Sequence, residues 1–303
     1  MAGPARIAAF AAVLVAVFAG AALLGGAVEP AGSDTDEDHG AGKSRPGARP
    51  AADDHRSVGG EPADAHGAKA RAPTPPGLRV AQDGYRLIVN RPRLASGEPQ
   101  ARFEFRIEDA SGQPVRQFEL AHEKRMHFIV VRRDLTSFQH LHPTMRPDGT
   151  WAARVDLSRG GVYRVFADFT REGAQRTLGA DVHVGGPYRP EVLPRPQPIA
   201  RTEGGLAVSL DTEAAQAGEP GRVEFEVRQD GKVVNDRLQP YLGARGHLVA
   251  LREGDLAYLH THPEGEELAF GAEYPSAGSY RLFVQFLHDG KVQTAAFTQV
   301  VPR

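Results

Sequence analysis

Two stretches of this chain are nearly the same stretch. Met126 to Pro143 reads MHFIVVRRDLTSFQHLHP and Gly246 to Pro263 reads GHLVALREGDLAYLHTHP, which sets His127, His140, His142 and Pro143 in step with His247, His260, His262 and Pro263. The correspondence runs on in both directions. Ser96-Gly97-Glu98-Pro99 returns as Ala217-Gly218-Glu219-Pro220, and Phe103, Phe105 and Ile107 return as Val223, Phe225 and Val227. Downstream, Gly161-Val162-Tyr163-Arg164-Val165-Phe166 returns as Gly278-Ser279-Tyr280-Arg281-Leu282-Phe283. The offset stays near 120 residues, far beyond the period of stacked solenoid repeats, so the chain carries a duplicated domain.

Each copy is written in short alternating runs separated by turn chemistry such as Ser111-Gly112, Pro147-Asp148-Gly149, Gly160-Gly161 and Glu172-Gly173. Alternation of apolar and polar residues predicts strands. In the first copy they fall near Gly77 to Ala81, Tyr85 to Val89, Ala101 to Glu108, Arg125 to Arg132, Ser137 to His142, Trp151 to Asp156, Val162 to Phe169 and Thr177 to Val184. No stretch of these copies has an amphipathic helical period. Seven or eight short strands in about 100 residues suit a Greek-key sandwich, and a tyrosine opening a late strand, here Tyr163 and Tyr280, matches the tyrosine corner of that fold. The expected fold class is all-β, with two tandem immunoglobulin- or fibronectin-like β-sandwich domains.

Ahead of them, Ile7 to Val28 is an uninterrupted run of small and apolar residues behind Arg6, with Glu29 and Asp34 beyond it. About 20 such residues can cross a bilayer, whereas the apolar part of a signal peptide is usually about 7 to 15 long. Residues 1–29 therefore read as an uncleaved, N-inside anchor in preference to a cleaved signal. Residues 30–76, rich in Ala, Gly, Pro and mixed charge, have no apolar period and read as a disordered spacer. The first sandwich is expected over 77–186, a stiff proline-rich connector over 187–198 and the second sandwich over 199–303. This layout predicts a single-pass protein of the cell membrane with its domains outside the cytoplasm, or a secreted one if the leader is removed. Lys and Arg total 36 against 38 Asp and Glu, with pI near 6.6, so no global field draws the chain to nucleic acid. With no cysteine, thiolate metal sites, Fe-S clusters, disulfides and cysteine nucleophiles are all excluded.

Each repeated stretch reads as a hairpin. Gly254-Asp255 is the kind of pair that closes a two-residue turn, and centring the hairpin there sets His247 opposite His262; centring the first on Asp134-Leu135 sets His127 opposite His142. His140 and His142 share one face, as do His260 and His262, so three imidazoles per copy converge on a small volume. Three imidazoles are enough for an open metal site. His122, with Glu123, lies close upstream in the first copy, and His288, Asp289 and Glu264 are further ligand candidates in the second. Imidazoles without thiolates suit copper(II) or zinc(II), while Met126 and Met145 would admit copper(I) in the first copy alone. Three other accounts of the histidines stay open: capping the rim of a sandwich core, forming a contact between two facing hairpins, or supporting a surface for another envelope protein. No nucleophile elbow, metalloprotease helix or phosphate loop is present, so no enzyme activity is expected.

The run HEKRMHFIVVRRDLTSFQHLHP, the later DGTW at Asp148 to Trp151, and GHLVALREGDLAYLHTHP resemble those of an uncharacterised family of bacterial membrane-anchored or secreted proteins. The resemblance covers Gly77 to the C-terminus. In plan, a small extracytoplasmic sandwich with histidines at one end is also similar to CopC- and YtkA-like copper-handling domains. Together these readings lead to an expectation of a non-enzymatic protein that sequesters, buffers or delivers copper or zinc, one ion per domain.

Overall fold

The computed structural model describes residues 74–95, 98–212, 215–259 and 261–302. The apolar run Ile7–Val28, the spacer up to residue 73 and His260 lie outside the described residues. Among the described residues no helix is long and apolar enough to cross a membrane, and the helical content is one 3-10 turn, Asn235–Arg237.

In chain order the first copy forms β1 (Ala81–Gln82), β2 (Tyr85–Val89), β3 (Arg93–Leu94), β4 (Glu98–Glu108), β5 (His127–Arg132), β6 (Gln139–Leu141), β7 (Thr144–Met145), β8 (Trp151–Leu157), β9 (Gly161–Arg171) and β10 (Ala174–Val184). The second copy forms β11 (Ile199–Arg201), β12 (Ala207–Thr212), β13 (Pro220–Gln229), β14 (Lys232–Val233), β15 (His247–Arg252), β16 (Tyr258–Leu259), β17 (Thr261–Pro263), β18 (Ala269–Glu273), β19 (Gly278–His288) and β20 (Lys291–Val301). Each copy is a sandwich of two sheets. The first pairs β1-β2-β4-β8-β7 over β3-β10-β9-β5-β6; the second pairs β11-β12-β13-β18-β17 over β16-β15-β19-β20.

Alternation explains the inner faces. Along β4, Ala101, Phe103, Phe105 and Ile107 are buried, and Phe105 stacks on Phe128 of the facing sheet at 4.5 Å between ring centroids. Met126 is 1% exposed in that same core and Met145 packs against it, so the thioethers expected near the histidines belong to the sandwich interior. The tyrosine corner is present twice: Tyr163 donates its hydroxyl proton to the Arg159 carbonyl at 2.9 Å, and Tyr280 to the Ser276 carbonyl at 2.8 Å.

β5 and β15 break the alternation. All six residues of β5, and five of six in β15, are buried. Phe128, Val130, Leu248 and Ala250 enter their own cores, while Ile129 and Val131 point outward into a third cluster with Val249, Leu251, Leu256, Tyr258 and Phe283. The two sandwiches are therefore docked sheet to sheet within one compact unit, Ala68–Arg303. Each apolar side chain so covered contributes about 1.5–3 kcal/mol. The contact pattern is that of a pseudo-two-fold axis. Phe138 stacks on Phe283 at 4.0 Å, and their counterparts Tyr258 and Phe166 meet at 5.5 Å. The lead-in joins the contact as well: the Pro76 carbonyl accepts from Tyr258 N at 3.0 Å. A Cβ on Gly77, at φ +75°, would strike the Phe166 ring, so only glycine fits there. The segment expected as a strand from Gly77 is thus mostly turn, with pairing confined to Ala81–Gln82.

The proline-rich connector has no strand, and it is tied to the first copy. Glu191 N donates to Asp134 Oδ2 at 2.9 Å, Tyr188 lies under the Arg132 guanidinium, and Leu193 packs on the interdomain cluster.

The hairpin register is as read from the sequence, but the turns are longer. Phe128 pairs with Leu141 and Ile129 with His140; Ala250 pairs with Leu259 and Leu251 with Tyr258. The expected two-residue turn at Gly254-Asp255 is instead a longer loop closed by Arg252 N donating to the Ala257 carbonyl. Inside it Asp255 binds the Arg252 guanidinium, as Asp134 binds that of Arg132, leaving Leu256 and Leu135 at positive φ with their side chains in the interdomain cluster. The charged pair and the buried leucine hold a wider loop than the Gly-Asp signal alone implies.

Candidate functional site

Docking brings the histidines of the two copies to one place. His127 opens β5 and is 3% exposed; His247 opens β15 and is 9% exposed. Their rings stack at 5.2 Å and 6° between planes. Because they are counterparts, that stack lies on the pseudo-two-fold axis. His140, carried by β6 opposite Ile129, lies 4.8 Å from His247 and 5.2 Å from His127 between centroids. One nitrogen from each of His127, His140 and His247 lies within 4.8 Å of the others. His142 adds a fourth ring, 5.1 Å from His127 and 4.8 Å from His140, and His122, in a turn at positive φ, a fifth at 5.6 Å from His247.

This arrangement corrects the expectation of two separate trios. His262 does not pair with His247 across the hairpin, although it lies near enough to His122 to act on that ring. The second copy leaves its hairpin sheet after Leu259, and β17 pairs with β18 in the opposite sheet, His262 against Gly271. The first copy stays in register through Leu141, so His142 remains beside His127. His260 lies outside the described residues. Glu264 is bonded to Arg222 and His288 pairs with Asp289, so neither belongs to the group.

Burial keeps these rings neutral. It lowers His140 to about 3, with repulsion from His127 and His142 adding to the effect. It lowers His127 to about 4, although the Ala121 carbonyl opposes the shift, and His142 to about 4. His247 is held well below 6.5 by burial and then by His140 and His127, and His122 is lowered by burial and then by His262. Neutral imidazole is the form that binds a metal.

The hydrogen bonds sharpen this. His127 Nε2 contacts the Ala121 carbonyl at 3.1 Å, and since a carbonyl only accepts, the proton is on Nε2. His140 Nδ1 contacts Gln285 Oε1 at 2.8 Å, and the Gln285 amide nitrogen donates to Thr294 Oγ1 at 3.0 Å, which puts the His140 proton on Nδ1. The two remaining nitrogens, His127 Nδ1 and His140 Nε2, then face each other at 3.0 Å as two lone pairs. With the Gln285 amide in this orientation, a proton or a cation between them relieves that contact. Turning the Gln285 amide over would instead let His140 Nε2 donate to His127 Nδ1 and close a neutral chain, so the amide orientation is decisive. Two imidazole nitrogens on a tetrahedral zinc ion lie about 3.4 Å apart. The 3.0 Å pair would open slightly, and the wider separations, up to 4.8 Å, would shorten, to fit such an ion.

A contact between two facing hairpins is one of the accounts the sequence leaves open, and the structure has it; Gln285 and the pooling of the histidines of both copies into one group were not foreseen. One signal was available: HFIVVR and HLVALR are apolar without alternation, the mark of strands covered on both faces.

The sequence matches one family twice, over residues 79–186 and again over 200–303, and that family is described as a domain of unknown function, DUF8832. This chain belongs to that family. Its two matched segments are the two docked sandwiches. No curated protein matches the sequence. Among solved structures the chain is similar to Salmonella alpha-2-macroglobulin reacted with methylamine, at 13% identity and TM-score 0.26, covering 75% of this chain and 15% of that one. It is also similar to the FN1-FN3 domains of chicken CNTN1, at 10% identity and TM-score 0.22 over 76% and 69% of the two chains. Bacterial invasin, an integrin-binding protein, follows at 13% identity and TM-score 0.20 over 70% and 38%. Scores this low carry no functional argument.

Proposed function

We propose that this protein binds one divalent copper or zinc ion at the docked face of its two sandwiches and serves, without catalysis, to sequester, buffer or deliver it outside the cytoplasm. The observation that carries the reading is the convergence of His127, His140 and His247, ligand atoms within 4.8 Å, from two copies of one domain. The likeness in plan to CopC- and YtkA-like domains, the N-terminal anchor and the extracytoplasmic location belong to the same proposal. They rest on the sequence. The shared group replaces one ion per domain with one ion per chain.

Elemental analysis and titration calorimetry of the full-length protein test this. One ion per chain is expected, lost entirely rather than halved in His247→Ala. A purified protein that neither carries nor takes up copper or zinc would refute the reading. A second reading is favoured by the apolar cluster formed by the same two strands, β5 and β15: the histidines are structural, and the protein is a cell-envelope interaction module. It predicts no metal and a loss of thermal stability in His142→Ala.

A further inference from the structure

A divalent ion on the histidine group would carry a charge that its three residues do not balance. His127, His140 and His247 bring only imidazoles to the group, with no carboxylate among the three. The carboxylate nearest in register, Asp168 opposite His127, is engaged by Gln175 and Thr177. A divalent ion there brings two positive charges into a buried site against that one carboxylate, a costly arrangement unless a further counter-charge enters with it.

His142 shows where one could enter. Its Nε2 is buried and unpartnered, and the same residue lines a surface groove of about 560 Å³ with Arg102, Thr144, Arg146 and Arg154. No carboxylate lines this groove. Glu104, in the adjoining depression, pairs with both Arg102 and Arg146, leaving an excess of guanidinium charge. A bare cation is repelled here, whereas planar guanidinium groups take carboxylates in forked pairs.

Building on the metal-binding reading, we propose that this groove seats a small di- or tricarboxylate, which carries the ion to the histidines past His142 and remains as its counter-charge. His142 is then the exchange ligand between groove and buried triad.

The test uses the full-length protein, metal-free and metal-loaded, titrated with malonate, a weak chelator, and separately with inorganic phosphate. Malonate is expected to bind the loaded form about tenfold or more tightly than the metal-free form, because coupling between sites is reciprocal. Arg146→Ala combined with Arg154→Ala, and independently Arg154→Glu, should reduce malonate affinity about tenfold while leaving metal stoichiometry at one. Malonate binding that ignores these arginines, or that is equal in both forms, overturns the proposal, as does phosphate binding in its place with equal affinity. A protein that takes up no metal yet binds malonate through the arginines removes the metal-binding reading and the carrier role together, and this outcome is separable from failure of the groove itself.

Discussion

Gln285 decides the chemistry of His140 through a single hydrogen bond. Its oxygen accepts from Nδ1 and leaves Nε2 with a lone pair aimed at His127. A carboxylate in that place can only accept, so Gln285→Glu fixes the tautomer and adds a counter-charge. Calorimetry should show metal affinity rising about tenfold or more; a fall would contradict a role for His140 Nε2 as a ligand. Protonation works against the same group. His127, His140 and His142 titrate near 4, 3 and 4 in the folded chain against 6.5 when unfolded. Above pH 6.5 both states are neutral. As pH falls from 6.5 towards 4 the unfolded chain takes up protons that the folded one refuses, so stability is lost across that window. Asp168, raised to about 6 by burial, has the opposite sign, since its penalty vanishes as pH falls below 6 towards 3.8. Three or more histidines outweigh one carboxyl. Urea midpoints of the metal-free protein should drop between pH 7 and 5, and a flat profile would contradict the neutral cluster.

β5 and β15 are the elements on which the site depends, each serving a core with one face and the other domain with its second. Phe283, 4% exposed on β19, stacks on Phe138 beside the histidine-bearing hairpin. Phe283→Ala should cost about 3–5 kcal/mol in chemical denaturation and weaken metal binding as well, because it loosens the contact that delivers His247. The short β6 needs its own support. Gln139 donates to the Asp156 carbonyl at 2.9 Å and accepts from Asp156 N at 2.7 Å, which staples the strand carrying His140 across the sandwich edge. Gln139→Ala should cost about 1–2 kcal/mol and lower metal affinity without changing the stoichiometry. Strand register was legible because alternation and the matched hairpins constrain it. The loops were not, since an aspartate binding its arginine and a leucine reaching into another domain are not visible in turn propensities.

At the scale of the molecule, the duplication has made one interface from two copies of the same surface. His127 meets His247, its counterpart, and Glu123 lies against Gly243, its own counterpart. Symmetry then breaks where it affects the site: Leu242 stands for His122, Gln285 for Asp168, and β17 joins the other sheet from Thr261, whereas its counterpart segment in the first copy joins only at Thr144 in β7. On the proposed function, a single shared axis predicts one ion per chain. At 100 times its dissociation constant that ion should stabilise the fold by about 2.7 kcal/mol, read as a rise in thermal midpoint that His127→Ala and His247→Ala each abolish.

The amino-acid order by itself determined the strands, the duplication, the hairpin register and the identity of the imidazoles, because these follow from side-chain alternation and local spacing. Only the tertiary structure decided that the histidine faces look at each other. Local pattern shows that a strand is apolar on both sides, but which surface covers the second side is settled by the packing of residues about 120 positions apart.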